Sequence, residues 1–541
     1  MSVRSLRNVL LIVTLCFCTA CTSGVLSVYK ELDHDIYLTH DTGVEQGAAD
    51  LIEDVLSRID QDASHPELTI TNPYENSLFP LDIASPTFSW RTDSDDVLRW
   101  FITVSFEGSP HAIYMVTGQT AWTPDRELWE IIKANSLNRS SRVTIRGFDT
   151  GDRTIRAEGA VSFSTSGDPV GAPIIFKEMP LPFAYSQRHP RKSQWRMGDV
   201  SSYERPRVIL KGLPMCGFCH SLSRDGSTFG MDIDYKRDKG AYILAPVTKQ
   251  MILSRDDIIS WNDLPALSET IPNMGLFSKV SPRGRYVMTT VNERPLMAIM
   301  DDLYFSQLFF PITGVIAYYA REEKGFHLLP GANDPEYIQT SPAWSPDGKT
   351  IAFSRAKVDR GLINIMGQKR LLPVDPKTSI DELNQKYRMR YDLYTVPFND
   401  GRGGEPVSLQ GASGNGRSNY FPRFSPDGKW IVFTQSDTGL VAQSSSLLYI
   451  IPAEGGTARK MTCNRALFNS WHSWSPNGKW LVFVSKVNTP YTELFLTHID
   501  DNGTDSPPVL LSRFKTNRRA AVIPEFANMK ADAIEGIMLF D

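Results

Sequence analysis

The chain contains the stretch Pro422-Arg-Phe-Ser-Pro-Asp-Gly-Lys-Trp-Ile-Val-Phe433, and copies of it recur along the C-terminal part of the sequence. Proline fixes φ at the first corner of a turn, Asp or Asn bonds to the local backbone, and glycine takes a positive φ. Apolar and polar residues alternate beside the turn, which predicts two strands joined by it. The copies cover residues 220–231, 278–289, 342–353, 422–433 and 472–483, and a sixth at 524–530 matches only at its start.

Further strand-like runs follow each copy and give about four strands per unit, which cannot bury its faces unless the units stack around an axis. The repeats resemble those of the TolB-type, WD40-like β-propeller family, roughly over residues 205–541. That resemblance implies a closed propeller, and six copies predict six blades, with five as the alternative. The run Arg207–Leu210 is expected to complete the sheet of the last copy. Insertions are expected at 292–338 and 357–390, because the copies lie farther apart than a bare blade requires.

The expected fold class is therefore all-β, with a propeller over residues 184–541 and a different β unit before it. Between residues 66 and 183 the apolar pattern has period two, and short runs are separated by turn residues. This pattern predicts an immunoglobulin- or fibronectin-like β-sandwich, with Trp90, Trp100, Trp122 and Trp129 in its core or at its rim. Residues 21–65 are expected to form a polar tether with one short amphipathic helix.

Residues 1–20 read as a signal peptide, with Arg4 and Arg7 followed by a short apolar run that is not long enough to span a bilayer. Small residues before Cys21 resemble a bacterial lipobox, in which Cys21 would carry the lipid. The alternative is an ordinary signal peptide cut near Ala20. Either way we expect export to the bacterial cell envelope, and lipidation would anchor the protein to a membrane that faces the periplasm or the exterior.

The chain has 57 basic and 61 acidic residues and a formal net charge of −4. This balance argues against a nucleic-acid partner, which would require an excess of basic residues to neutralise phosphates. Three cysteines follow the leader region, an odd number that excludes a complete disulfide framework.

Two of these cysteines form the motif Cys216-Gly-Phe-Cys219-His220, the attachment sequence of a c-type haem. The two thiols would add to the haem vinyl groups, and His220 would ligate the iron from one side. A disulfide or redox pair, a metal site and inert thiols are the alternatives. The motif runs directly into a propeller strand with no helical domain around it, which weakens an electron-transfer role.

The repeat alignment places His220 and His472 in one column, near the mouth of the expected central channel. His472 is thus a candidate second ligand of a metal or haem iron, against the alternative of an ordinary rim residue. In the adjacent column Lys279, Arg423 and Glu525 could orient a polar or anionic ligand. Met231 aligns with core phenylalanines, and Cys463 reads as a buried thiol.

The sequence lacks the Gly-x-Ser-x-Gly, His-Glu-x-x-His and phosphate-loop motifs. It therefore favours a non-enzymatic binding or assembly module, with a protein or glycan partner in the envelope and a possible covalent haem in a redox or sensing role. The alternative is a metal-dependent lyase or hydrolase that acts in the propeller channel, since the resemblance includes propellers of that kind.

Overall fold

The computed structural model describes residues 32–39, 48–57, 67–92, 99–149, 151–213, 217–265, 272–300, 302–369, 371–372, 374–375, 377–439 and 443–539. Within them, the N-terminal unit forms two sheets, a six-stranded one with the order β1-β6-β5-β8-β9-β3 and a three-stranded one with the order β2-β4-β7. Its elements are β1 (Ile36–Thr39), α1 (Ala48–Ser57), β2 (Thr69–Asn72), β3 (Ser77–Phe79), β4 (Phe88–Arg91), β5 (Arg99–Phe106), β6 (Ala112–Thr117), β7 (Ala121–Trp122), α2 (Arg126–Ser136), β8 (Ser141–Phe148) and β9 (Ile155–Thr165).

The two sheets share one apolar core, in which all four tryptophans singled out in the sequence are buried. Trp90 of the small sheet meets Trp100 of the large sheet edge-to-face, with ring centroids 5.6 Å apart. The amphipathic helix expected before this unit is α1, which packs Ile52 and Val55 against the outer face of the large sheet. Helix α2 was not expected; Asp125 caps its N-terminus, and its buried face completes the core.

The rest of the chain forms six four-stranded antiparallel sheets within the described residues, together with a small two-stranded one. The first of these strands and helices are β10 (Ile174–Met179), α3 (Phe183–Arg188), β11 (Gln194–Gly198), β12 (Arg207–Lys211), β13 (Gly217–Leu222), β14 (Thr228–Tyr235), β15 (Asp238–Pro246), β16 (Gln250–Leu253), β17 (Ile258–Ser260), β18 (Leu276–Val280), β19 (Tyr286–Ile299), β20 (Gln307–Ala320) and β21 (Gly325–Leu328).

The remaining ones are β22 (Tyr337–Trp344), β23 (Thr350–Lys357), α4 (Arg360–Met366), α5 (Ile380–Lys386), β24 (Asp392–Pro397), β25 (Val407–Ser408), β26 (Ser418–Phe424), β27 (Trp430–Ser436), β28 (Leu447–Pro452), β29 (Arg459–Lys460), β30 (Asn469–Trp474), β31 (Trp480–Ser485), β32 (Glu493–His498), β33 (Val509–Leu510), β34 (Ala520–Phe526) and β35 (Gly536–Leu539). Short 3-10 turns occupy Pro190–Lys192, Arg255–Asp257, Trp261–Asp263, Asn399–Gly401 and Ser512–Phe514.

Each of the first five sheets begins with a repeat copy, whose turn joins its first two strands. In the third sheet Ser345 Oγ accepts from the Thr350 amide at 2.9 Å and donates to Asp347 at 2.6 Å, while Gly348 takes φ +75°. The first strands β13, β18, β22, β26, β30 and β34 contact one another in that order, and β34 contacts β13 again. The sheets therefore stand around one axis with their first strands innermost, which is the arrangement of a β-propeller.

The last sheet joins two distant parts of the chain, in the order β12-β11-β10-β34. Its innermost strand β34 is the sixth repeat copy, and its outermost strand β12 confirms the expected role of Arg207–Leu210. Strand β10 lies on the sandwich side of the boundary expected at residues 183 and 184, yet it pairs with β11 and β34. The ring is thus closed by hydrogen bonds between residues near 175 and residues near 525.

The insertion expected at 292–338 is shorter than predicted, because residues 315–328 include the third and fourth strands of the second sheet. The extra residues of this region lie against the segment expected at 357–390. Strands β19 and β20 extend well beyond their sheet as a long hairpin. The segment with α4 and α5 packs on it, through a bridge between Leu296 and Leu372 and through Arg294, which donates to the Lys369 carbonyl at 2.8 Å. The hairpin and these helices belong to the same apolar cluster.

The sandwich and the propeller share an interface at the fifth sheet. Trp480 Nε1 donates to the Asp168 carbonyl at 3.2 Å, and His498 Nε2 lies 2.8 Å from the Asp168 carboxylate. Asn477, in the fifth repeat turn, donates to the Pro169 carbonyl at 2.6 Å. These bonds fix the two units against each other at the fifth sheet.

Candidate functional site

A cavity of about 310 Å³ opens at the end of the axis where the repeat turns lie. Going inward, the turn prolines come first, then a belt of polar and charged side chains, and then an apolar floor. The belt column is the column of the repeat alignment directly after the one that contains His220 and His472. All six of its residues line the cavity: Ser221, Lys279, Ala343, Arg423, Ser473 and Glu525. The structure therefore brings together the three charged residues selected from the sequence.

The belt is held by bonds between neighbouring inner strands. Ser221 Oγ accepts from the Val280 amide and Ser473 Oγ accepts from the Phe526 amide, each at 3.1 Å. Trp474 Nε1 donates to the Arg423 carbonyl at 3.3 Å, which fixes the backbone of that arginine. The belt side chains consequently start from a rigid ring.

Lys279 and Glu525 form an ion pair inside the cavity, with Nζ 3.0 Å from Oε2 and the two side chains only 13% and 16% exposed. The other carboxylate oxygen of Glu525 accepts from the Leu222 amide at 2.8 Å. Burial raises the pKa of Glu525, but Lys279 and the other nearby cations outweigh this, so its pKa is lowered overall. Burial lowers the pKa of Lys279 despite the opposing effect of Glu525. Each charge of the pair is thus neutralised by its partner and is not available to a ligand unless the pair breaks.

Arg423 differs from Lys279, because it forms no salt bridge with any residue that the structure describes. Among the described residues, its guanidinium donates only to the carbonyl of the preceding Pro422, at 3.2 Å. Burial lowers its pKa, although Glu525 and Cys219 oppose this effect. A guanidinium with donors to spare in a confined space is suited to bind a carboxylate or phosphate.

A second arginine, Arg224, reaches across the mouth from the first repeat turn. It donates to the Pro346 carbonyl at 3.1 Å and to the Pro426 carbonyl at 2.9 Å, two oxygens that belong to different sheets. The second to fifth copies have proline at this position and the sixth has Asn528, so the arginine is particular to the first copy. Sequence inspection missed it, although the departure from the Ser-Pro-Asp-Gly pattern was visible.

The floor is made by residues with unusual backbone geometry. Each inner strand contains a register shift, and in five of them a residue other than glycine takes a positive φ there. These residues all line the cavity: Phe277, Ser341, Phe421, Trp471 and Ile523. In four of these five strands the residue at the shift is apolar, and Phe277 and Phe421 meet edge-to-face at 5.0 Å.

Cys219 occupies the equivalent place in the first sheet and is also part of the cavity lining. Burial, reinforced by Asp232, raises the pKa of its thiol to about 12, so it is protonated at neutral pH. Cys216 and the lipidation candidate Cys21 lie outside the described residues. Cys463 is fully buried in the apolar core of the fifth sheet, and Met231 is likewise in a core.

The two candidate histidines occupy equivalent inter-sheet positions. His472 Nε2 donates to the Val432 carbonyl of the preceding sheet at 2.9 Å, and its buried Nδ1 has no partner among the described residues. His220 is fully buried and faces Ile175 of its own preceding sheet, and neither of its ring nitrogens is in hydrogen-bond geometry with a described residue. Burial lowers the pKa of His220 to about 4 and that of His472 to about 3, so both are neutral at pH 7.

This geometry does not fit a haem iron at His220. Cys219 lines the cavity, whereas the adjacent His220 is fully buried between two sheets and does not line it. An iron atom could reach its imidazole only if those sheets separated. In the described part of the chain no three or more His, Cys, Asp or Glu side chains are grouped to hold a metal ion. Covalent haem and a His220–His472 metal site stay untested predictions.

No family model matches the sequence, and no curated protein matches it. Among solved structures, the chain is similar to TolB from Acinetobacter baumannii, with 13% identity, a TM-score of 0.40, and coverage of 92% of this chain and 98% of that one. It is also similar to a putative TolB from Agrobacterium tumefaciens, with 15% identity, a TM-score of 0.33, and coverage of 66% and 98%.

A third similar structure is oligogalacturonate lyase from Vibrio parahaemolyticus, with 12% identity, a TM-score of 0.34, and coverage of 57% of this chain and 69% of that one. At such TM-scores we take no activity or partner from any of these proteins. The propeller arrangement rests on the order of the sheets and on the ring of inner strands. None of the helices in the described ranges has the length and apolar character needed to cross a membrane.

Proposed function

We propose that this protein is an exported, lipid-anchored binding module of the bacterial cell envelope, built as an immunoglobulin-like sandwich followed by a six-bladed propeller. Its partner, a protein or a glycan, would place an anionic group in the mouth cavity. The observation that carries this proposal is Arg423, a cation that faces a confined cavity and has no salt bridge among the described residues.

The charge of the cavity supports an anionic ligand. Its charged lining residues are Arg224, Lys279 and Arg423 against Glu525, which leaves an excess of two positive charges. His472 and Cys219 contribute no charge at neutral pH, because burial lowers the pKa of the histidine and raises that of the thiol. An anion that enters would meet this excess charge where little water screens it.

Tryptophan fluorescence gives a direct test, since Trp344, Trp471 and Trp474 line the cavity. The protein is titrated with a panel of carboxylates, phosphates, neutral sugars and amines. We expect at least one anion to change the emission and Arg423→Gln to weaken that ligand at least tenfold. The control Arg417→Gln removes an exposed arginine that pairs with Asp437 and directly precedes β26, the strand of Arg423. It should leave the affinity for the anion unchanged. Binding of neutral or cationic compounds alone, or equal binding to Arg423→Gln, would refute the proposal.

The alternative of a metal-dependent lyase or hydrolase concerns the same channel. Within the described residues, no specific arrangement of ligating side chains favours it. We therefore develop only the binding role.

A further inference from the structure

We infer that the mouth cavity recognises a terminal carboxylate attached to a small apolar body, such as the last residue of a polypeptide or a free acid of the same kind. This inference rests on the proposed binding function and specifies its ligand class. Three features of the cavity carry it: a closed bottom, an apolar floor and a cationic belt above that floor.

The channel is closed at its inner end by the long β19–β20 hairpin. Phe309 of this hairpin packs on the floor residue Phe277, with ring centroids 6.1 Å apart. Farther along, the carbonyl of Tyr304 accepts a hydrogen bond from Lys486 of the fifth sheet, and Ser306 Oγ accepts from the Phe183 amide at 3.2 Å. The hairpin starts in the second sheet, so it crosses beneath the axis.

The hairpin is also fixed from the side of the fourth sheet. Tyr391, fully buried, donates from its hydroxyl to the Pro311 carbonyl. Phe310 lies against Gly439 in the loop that follows β27. A ligand must therefore enter and leave through the mouth, and a chain cannot thread through the propeller. The cavity accepts a chain end or a small molecule.

The floor supplies the apolar contact. Phe277, Trp471 and Ile523 stay partly exposed at the bottom of the cavity, although they are large apolar side chains. Apolar surface left in a closed pocket is a source of binding free energy, at roughly 25 cal/mol for each Å² covered. A cavity of about 310 Å³ has room for one side chain of that kind with its flanking groups.

The belt lies between this floor and the mouth, so an anion held by Arg423 would sit above an apolar group on the floor. Lys279 cannot take the same role without giving up Glu525, whose other oxygen already holds the Leu222 amide. Arg224 lies farther out, across the opening, and would lie over a bound carboxylate. The order from the bottom upward is thus apolar body, carboxylate and mouth. This order suits a C-terminal apolar residue, because its side chain and carboxylate are attached to the same Cα and its chain can leave through the mouth.

Calorimetric titration with matched compounds tests this inference. The first probe is N-acetyl-phenylalanine, which has both the carboxylate and the apolar body. Its C-terminal amide lacks the charge, and acetate lacks the apolar body. A short peptide that ends in Phe with a free carboxylate, and the same peptide amidated with an internal Asp, test the chain-end requirement. We expect N-acetyl-phenylalanine and the free-carboxylate peptide to bind at least tenfold more tightly than the other three. Binding of the free acid without the peptide would assign the ligand to small molecules and would keep the carboxylate chemistry.

Two variants address the two halves of the site. Arg423→Gln should weaken N-acetyl-phenylalanine at least tenfold, and the control Arg417→Gln should not. Ile523→Asn should weaken the same ligand several-fold yet leave any weak acetate binding unchanged; asparagine tolerates the positive φ of +54° at this position, so the backbone can be kept. Circular dichroism of each variant confirms that it is folded.

The outcomes separate this inference from the proposed function. If acetate or phosphate binds as tightly as N-acetyl-phenylalanine and still depends on Arg423, the cavity is an anion site and the inference is wrong. Equal binding of the amidated peptide would also overturn it, because that result removes the need for a chain end. If no anion in either panel binds, both the inference and the proposed function fail.

Discussion

Lys279 Nζ lies 3.0 Å from Glu525 Oε2, although the two residues belong to the second and the last sheet of the ring. The pair crosses in front of the first sheet, and Glu525 also accepts the Leu222 amide of that sheet. It therefore ties the closing strand β34 to two other inner strands. The same pairing leaves Arg423 as the belt cation that is available to a ligand.

Replacing Glu525 by glutamine should destabilise the protein. The change leaves the ammonium of Lys279 in the cavity without its counter-charge, while the amide oxygen can still accept from Leu222. We expect the free energy of unfolding to fall by about 1–3 kcal/mol, less than for a fully dry pair because both side chains keep some exposure. Urea denaturation followed by circular dichroism measures the loss.

The matched control is Glu535→Gln, which removes the partner of Lys249 in an exposed pair. Exposed pairs contribute little, so the control should shift the free energy of unfolding by less than about 0.5 kcal/mol. Equal effects of the two substitutions would mean that the Lys279–Glu525 pair does not tie the ring.

Stability should fall in acid partly through His472. Burial lowers its pKa in the folded protein to about 3, below the ordinary value of 6.5. Between these values the unfolded chain binds more protons than the folded protein, so the folded state loses stability as pH falls through this window, by up to about 1.4 kcal/mol per pH unit. Unfolding of wild type and His472→Gln between pH 7 and pH 4 should give curves that diverge as pH falls. The exposed His34→Gln should follow wild type.

His220→Leu tests whether His220 serves packing or metal ligation. Neither ring nitrogen has a partner among the described residues, so a leucine of similar size removes a buried polar group that gains no hydrogen bond. The variant should therefore be as stable as the wild type or more stable, by up to about 2 kcal/mol in the free energy of unfolding. Met231→Ala, at the cross-strand partner of His220, should cost about 2–5 kcal/mol by leaving a cavity. A haem absorbance band in the wild type that His220→Leu removes would contradict the packing role.

The repeat pattern predicted the elements whose residues repeat. The turns, the inner strands, the belt column and the place of Arg207–Leu210 as the outer strand of the last copy's sheet all follow from a motif that can be aligned along one chain. Features that occur once were not accessible in this way. Helix α2 stands alone in a β unit, and the crossing of the β19–β20 hairpin beneath the axis depends on contacts such as Phe277 with Phe309, which no local pattern encodes.

The candidate site, too, could be predicted from the sequence only in part. Column alignment selected Lys279, Arg423 and Glu525, which the structure places in one cavity. The same alignment set His220 and His472 near the mouth, but it could not show to which side of the strand each ring points: His472 lines the cavity, whereas His220 does not. A register shift in each inner strand decides that direction, and its signature, a bulky residue at positive φ such as Phe421 or Trp471, is not recognisable in sequence.

Lipid anchoring is tested in cells by Cys21→Ala. If Cys21 carries the lipid, this change should move the protein from the membrane fraction to the soluble envelope fraction and abolish labelling with a palmitate analogue. Cys16→Ala, in the apolar run of the leader, should leave both unchanged. Labelling that persists in Cys21→Ala would indicate lipidation at another residue, and a wild type without labelling would indicate an ordinary signal peptide.

A crystal structure of the protein with N-acetyl-phenylalanine bound is the most direct test of the ligand site at the mouth of the ring. The account predicts the carboxylate within hydrogen-bond distance of the Arg423 guanidinium, the phenyl ring on the floor formed by Phe277, Phe421 and Trp471, and Arg224 over the entrance. A ligand bound elsewhere, or one bound here with its ring toward solvent and its carboxylate away from Arg423, would contradict the account.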